Sequence, residues 1–186
     1  KDTDLALAVG TKLADFTTGS WANFENPDFK LISLNTARFD TTKHLATPVI
    51  SDAKVGLQQI SEALGDWKAP DPWYQRAIKE RDEWDLYVQK HSGPTNQAEP
   101  SYAHAVGAVY RNADPSDIVV TAAGGLVGEV VQVWKPKQLN TFETEWGFSC
   151  MGYEISGALG IKMAKPDQDV VVFVGDGSYL LSNSDI

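Results

Sequence analysis

The chain has 186 residues, 42% of them hydrophobic, which supplies core for one good-sized domain or parts of two and excludes a disordered protein. Asp and Glu outnumber Lys and Arg by 25 to 16, giving a net charge of −9, and no basic stripe is present that would follow a phosphate backbone. Nucleic acid is therefore excluded as a partner. No apolar run approaches the roughly 20 residues of a bilayer span, and the amino terminus lacks the basic-then-apolar pattern of a secretory signal. Together with the single Cys150, which has no partner for an internal disulfide, this predicts a cytoplasmic protein without membrane contact.

In chain order, Leu5 to Val9 reads as a buried strand ending at Gly10, and Phe29 to Leu34 as a second, each a short apolar run bounded by turn-forming residues. Pro48 to Ile50 is a third apolar piece. It leads into Asp52, which predicts the cap of a helix whose Leu57, Ile60 and Leu64 recur at helical spacing before Gly65 stops it. The stretches from Asp66 to Pro72 and from His91 to Pro100 are polar and turn-rich. Between them Tyr74, Ala77, Ile78, Arg81, Trp84 and Val88 fall at helical spacing. Residues 66–100 are thus expected to be an interdomain connection that contains one amphipathic helix.

The alternation resumes after it. Ser101 predicts the cap of a helix through Asn112, Asp114 and Pro115 make a turn, and Ile118 to Ala122 forms a strand followed by a Gly124-Gly125 loop. A helix is predicted from Met151 to Ala164. The strand Val170 to Val174 follows, with the unbroken apolarity of a strand covered on both faces. Tyr179 to Ile186 reads as the first turns of a further helix, and the chain opens at Lys1 close to an apolar run, so a segment cut from a longer protein is expected. The fold class is α/β, with parallel sheets flanked by helices in both halves. In such sheets ligands bind beyond the carboxyl ends of the strands.

That rule singles out Gly175-Asp176-Gly177-Ser178, which leaves a strand and enters a helix. Glycines there let backbone N–H groups approach an anion, and a carboxylate in that place has a cation as its natural partner; Mg²⁺ commonly combines one or two carboxylates with phosphate oxygens. The same four residues also suit an ordinary turn, where Gly and Asp are favoured for backbone reasons alone. Gly124, Gly125 and Gly147 lie in the two preceding loops, so three loops are in place to converge on one anionic ligand. Gly152, Ser156 and Gly160 repeat every four residues, a small-residue ridge expected to pack a helix closely on its sheet.

The run Glu145-Trp-Gly-Phe-Ser-Cys-Met-Gly-Tyr-Glu154, with Thr121-Ala-Ala-Gly-Gly-Leu126 and Gly175-Asp-Gly-Ser-Tyr-Leu180, resembles the thiamine-diphosphate-dependent enzymes related to acetohydroxyacid synthase. Phe39-Asp40 and Asp15 to Trp21 add to the likeness, which spans nearly the whole chain. Within that family the pattern is most similar to hydrolases that open a cyclic 1,2-diketone of inositol breakdown. Val127 and Ser182 depart from it, since the pattern has Pro and an apolar residue there.

The resemblance implies that residues 1–65 finish a Rossmann-like central domain and residues 101–186 begin the domain that binds the cofactor's diphosphate. It implies thiamine diphosphate and Mg²⁺ as cofactors, with Asp176 as metal ligand and Gly124, Gly125, Gly175, Gly177 and Ser178 around the diphosphate. Met151 becomes the wedge under the bent cofactor, and the backbone carbonyl near Ser149 the partner of its amino group. A second metal ligand is expected beyond Ile186, and the activating glutamate in a domain outside this chain. No catalytic acid or base is assigned within it. The implied partners are a small cyclic diketone as substrate and further copies of the chain, in a homodimer or homotetramer.

His44, His91 and His104 are scattered and read as structural or exposed. Glu143, Glu145 and Glu154 lie near the expected crevice; burial beside an anion would raise such a carboxyl, but solvated side chains are the plainer expectation. Two other functions stay open, an acetolactate-synthase-like carboligase on pyruvate and a non-catalytic nucleotide-binding α/β module.

Overall fold

The computed structural model describes residues 2–145 and 147–186, so Lys1 and Trp146 of the motif lie outside the described residues. By contacts the chain divides into two compact units, Lys1–Pro70 and Asp71–Ile186.

In the first unit β1 (Leu5–Val9), β2 (Lys30–Asn35) and β3 (Thr47–Ile50) form a parallel sheet in that order. Leu7 lies opposite Ile32, and Leu34 opposite Val49. Short helices α1 (Asp15–Thr18) and α2 (Arg38–Thr41) fill the connections. Helix α3 (Ala53–Leu64) starts as its sequence predicts: Asp52 Oδ1 accepts the N–H groups of Lys54 at 2.9 Å and Val55 at 3.2 Å, satisfying two of the free amides at the helix start. Gly56 carries α3 onto the sheet. A Cβ there would run into Leu34 Cδ1, and Leu34 is fully buried.

In the second unit helices α4 (Asp71–Ser92) and α5 (Tyr102–Asn112) precede β4 (Ile118–Thr121), α6 (Gly125–Val133) and β5 (Phe142–Thr144). Then come α7 (Tyr153–Ala164), β6 (Val170–Val172) and α8 (Asp176–Ser182). The sheet is parallel, in the order β5-β4-β6. Val119 of β4, buried with Val106, Val130, Val133, Trp134 and Phe173, sits in a core that α4, α5 and α6 close from one side. Helix α7 packs on β4 and β6 and contributes the buried Ile155 and Ala158. Tyr110, Trp134 and Phe173 meet edge to face, with centroids 5.2 and 5.9 Å apart, the arrangement favoured by their ring quadrupoles.

Helix α5 is capped reciprocally. Ser101 Oγ accepts the His104 N–H at 3.4 Å and His104 Nδ1 accepts the Ser101 N–H at 3.2 Å, so histidine takes the place usually held by Glu or Gln. Where α4 meets α5, a Cβ on Gly107 would run into the Ser92 carbonyl oxygen, which also accepts a bond from Arg111 Nη1 at 2.6 Å.

Several expectations are corrected. The last strand ends at Val172 rather than Val174 and is not covered on both faces, with Val172 36% exposed; the strand buried throughout is β4. Helix α7 begins at Tyr153 and not at Met151, because Gly152 at φ 93° turns the chain before the helix can start. Gly124-Gly125 is more than a loop: Gly124 at φ 92° is the cap and Gly125 the first residue of α6. The small-residue ridge does not face the sheet. Ser156 and Gly160 are exposed, and the inner face of α7 is Glu154, Ile155 and Ala158. The apolar stripe on α4 stays largely uncovered within its unit, with Val88 and Ser92 its buried residues.

Candidate functional site

The order β5-β4-β6 contains a change of direction. From β4 the chain goes to β5 on one side and then returns to β6 on the other, so the connections leaving β4 and β6 diverge at the sheet's carboxyl edge. Open parallel sheets bind their ligands in the crevice this creates. The segments that open there are Ala122 to Gly125 and Phe173 to Gly177, both singled out by the sequence. The two strand ends are tied, since Phe173 N–H donates to the Val120 carbonyl at 2.9 Å and Thr121 Oγ1 donates to the Phe173 carbonyl at 3.2 Å.

At the crevice, a Cβ added to Gly124, Gly125 or Gly175 would meet nothing within 4 Å, and neither Gly124 nor Gly175 has a side chain capping the helix that follows. The first amides of the nine-residue α6 thus start beside open space, where unpaired N–H groups and the helix dipole favour an anion. Asp176 is the exposed first residue of α8, whereas Ser178 is buried at its third position. Gly177 meets Met151: a Cβ on it would lie 3.0 Å from Met151 Cε. Residues expected at the diphosphate and at the bend of one cofactor are therefore neighbours.

The third segment, 145–152, is organised by two glutamates. Glu145 Oε1 accepts the Phe148 N–H and Glu145 Oε2 the Cys150 N–H, both at 2.8 Å. These two bonds, Cys150 first, hold its carboxyl below the usual range, opposite to the upward direction expected for burial beside an anion. Partial desolvation and then the Glu145 charge push the Cys150 thiol up. Within this loop Ser149 is exposed at φ 53° and Met151 is half exposed.

Glu154, expected to be solvated, is instead 0% exposed. Its Oε1 accepts the Ala123 N–H at 3.2 Å and its Oε2 the Gly152 N–H at 3.0 Å, which pairs both oxygens inside the fold. The signal for it in the sequence was a lone carboxylate in the otherwise apolar or small run Met151 to Gly160. The histidines are structural: His44 stacks on Trp21 with centroids 4.1 Å apart, His91 Nδ1 lies 2.8 Å from the Tyr87 carbonyl oxygen, and His104 caps α5.

The residues present fit the diphosphate of a cofactor, with open glycine backbone at two diverging loops. For a metal ion they supply one carboxylate, Asp176. Among the described residues no group of three or more His, Cys, Asp or Glu side chains could hold a metal ion by itself.

Residues 122–186, which contain the diverging loops, match the family described as thiamine pyrophosphate enzyme, C-terminal TPP binding domain. The end of the chain is therefore similar to the cofactor-binding domain of the thiamine-diphosphate enzymes. Over its whole length the chain is similar to proteins named 3D-(3,5/4)-trihydroxycyclohexane-1,2-dione hydrolase, 36% identical in Clostridium tetani and 34% in Geobacillus thermodenitrificans. The protein of that name from Lacticaseibacillus casei is 32% identical over 98% of this chain. The chain spans about a third of the length of these relatives, 33%, 32% and 32% in turn. Among the described residues no helix is long and apolar enough to cross a membrane.

Proposed function

We propose that the protein carrying this chain is a thiamine-diphosphate-dependent hydrolase that breaks a carbon–carbon bond in a cyclic 1,2-diketone, with trihydroxycyclohexane-1,2-dione as substrate. The observation that carries this reading is the similarity to hydrolases of that name along the entire chain. The diverging loops support it, because the glycines the cofactor needs lie where an α/β sheet takes ligands. When bound, thiamine diphosphate supplies an electron sink that lets a bond beside a carbonyl break.

In this reading the backbone at Gly124, Gly125, Gly175 and Gly177 receives the diphosphate, with Ser178 beneath it. Asp176 contributes one carboxylate to Mg²⁺. Met151 offers apolar surface to the cofactor's rings, and the Ser149 backbone takes its amino group. Residues 1–65 belong to a central Rossmann-like domain, residues 66–100 connect it to the cofactor domain, and the intact protein is a homodimer or a dimer of dimers.

The test is to assay the intact protein on the cyclic dione and on pyruvate, with and without thiamine diphosphate and Mg²⁺. Cofactor-dependent loss of the dione is expected. Turnover of pyruvate alone would replace the hydrolase by the carboligase, a reading the relatives' names do not favour. Calorimetry on Asp176→Ala addresses the remaining possibility: unchanged affinity for thiamine diphosphate and Mg²⁺ would favour a non-catalytic module. Light scattering showing an active monomer would refute the assembly.

A further inference from the structure

The fully buried Glu154 joins two segments distant in sequence. One oxygen takes the amide of Ala123, which leads into the Gly124 turn; the other takes the amide of Gly152, which follows Met151. We infer that Glu154 is the positioning residue of the cofactor crevice, setting the post-β4 turn and the Met151 segment in one register. The inference rests on the thiamine-diphosphate reading above and assigns to that site a residue that acts through the backbone of two loops.

The chemistry of the contact explains why a carboxylate stands here. Both partners are N–H donors, so both side-chain atoms must accept. A glutamine has one accepting oxygen; its NH₂ would face the other amide, donor against donor, and leave that amide unpaired inside the protein. An aspartate, one methylene shorter, would hold its carboxylate back from both amides. The tie also closes α7, whose cap Gly152 has no side chain, and places a negative charge in the helix's first turn. Gly124 and Gly152, held next to these bonds, are at φ 92° and 93°, a conformation with no side chain of its own to fix it. Loss of the tie therefore frees the turn that precedes α6 and the residue that follows Met151.

The experiment compares intact wild-type protein with Glu154→Gln, measuring thiamine diphosphate affinity in Mg²⁺ by tryptophan-fluorescence titration and the melting temperature without cofactor. A folded Glu154→Gln variant is expected to bind the cofactor about tenfold more weakly, because the released turn and Met151 segment must be ordered again on binding. Glu154→Asp is expected to lose as much. Folded variants that bind within about twofold of wild type would overturn the inference. Failure of the wild type itself to bind would instead sink the proposed function, so the two failures are distinguishable.

If neither variant folds, amide-resolved hydrogen exchange on the wild type decides. Protection at Ala123 and Gly152 that increases when thiamine diphosphate and Mg²⁺ are added supports the positioning role. Exchange at those two amides that ignores the cofactor overturns it.

Discussion

The terminal methyl of Met151 lies 3.0 Å from the point where a Cβ on Gly177 would stand. One segment comes from the loop before α7 and the other from the start of α8, so this contact joins two loops of the crevice. Gly177→Ala pushes only the free end of a flexible side chain and adds a better helix former, so stability is expected to hold or rise by up to about 1 kcal/mol. Affinity for thiamine diphosphate is expected to fall, because the displaced methyl moves into the crevice. Thermal melts and a cofactor titration on the same variant check both halves; equal affinity would show that Met151 yields without consequence.

Glu145 gives the loop a pH signature. Its carboxyl is lowered by the Cys150 and Phe148 amides, so its contribution to loop order is complete above the ordinary glutamate range and is lost as pH falls through the lowered value. The amide resonances of Phe148 and Cys150 should therefore titrate together at a pH below that of a free glutamate. In Glu145→Gln this transition should vanish. Two amides titrating independently would rule out the shared carboxylate.

The same carboxylate raises the Cys150 thiol, after the effect of partial desolvation. Cys150 is exposed, yet its alkylation by iodoacetamide near neutral pH is expected to be slower than for a free cysteine, since the thiolate is the nucleophile. Glu145→Gln should speed it. An unchanged rate would mean that the charge does not reach the sulfur.

Two glycines set how closely helices pack. At Gly107 an alanine methyl meets the Ser92 carbonyl, a backbone atom with no room to rotate away, and at Gly56 it meets the buried Leu34. Each Gly→Ala change is expected to destabilise by about 1–3 kcal/mol despite the better helix propensity of alanine. Urea unfolding of the intact protein measures this. Gly107→Ala should cost more than Gly56→Ala, because a leucine can change rotamer and a main-chain oxygen cannot.

The parts of the fold legible in the sequence were those marked by local chemistry. Asp52 and Ser101 announced α3 and α5 because a cap is a short-range hydrogen bond, and Leu5 to Val9 was a strand because its neighbours end it, although only Ala8 of the expected buried run is buried. Helix α6 was missed because two glycines open it and its face is apolar nearly all round, which hides the helical period. β5, only Phe142–Thr144, offers too few residues for any alternation. At the site, the glycines and Met151 were singled out through a motif, and the fold sets Met151 beside Gly177. Glu154 reads as solvated, since the lone carboxylate in an apolar run hints at burial but its partner Ala123 lies 31 residues away and cannot be read locally.

Glu154 binds main-chain groups alone, and this has an evolutionary corollary. Any non-proline residue presents the same N–H at position 123, so substitutions there place no demand on position 154. A search for compensating changes between families of such proteins would find no companion for this glutamate, however firmly it is retained. Only the fold reveals the tie, because no second side chain keeps a record of it.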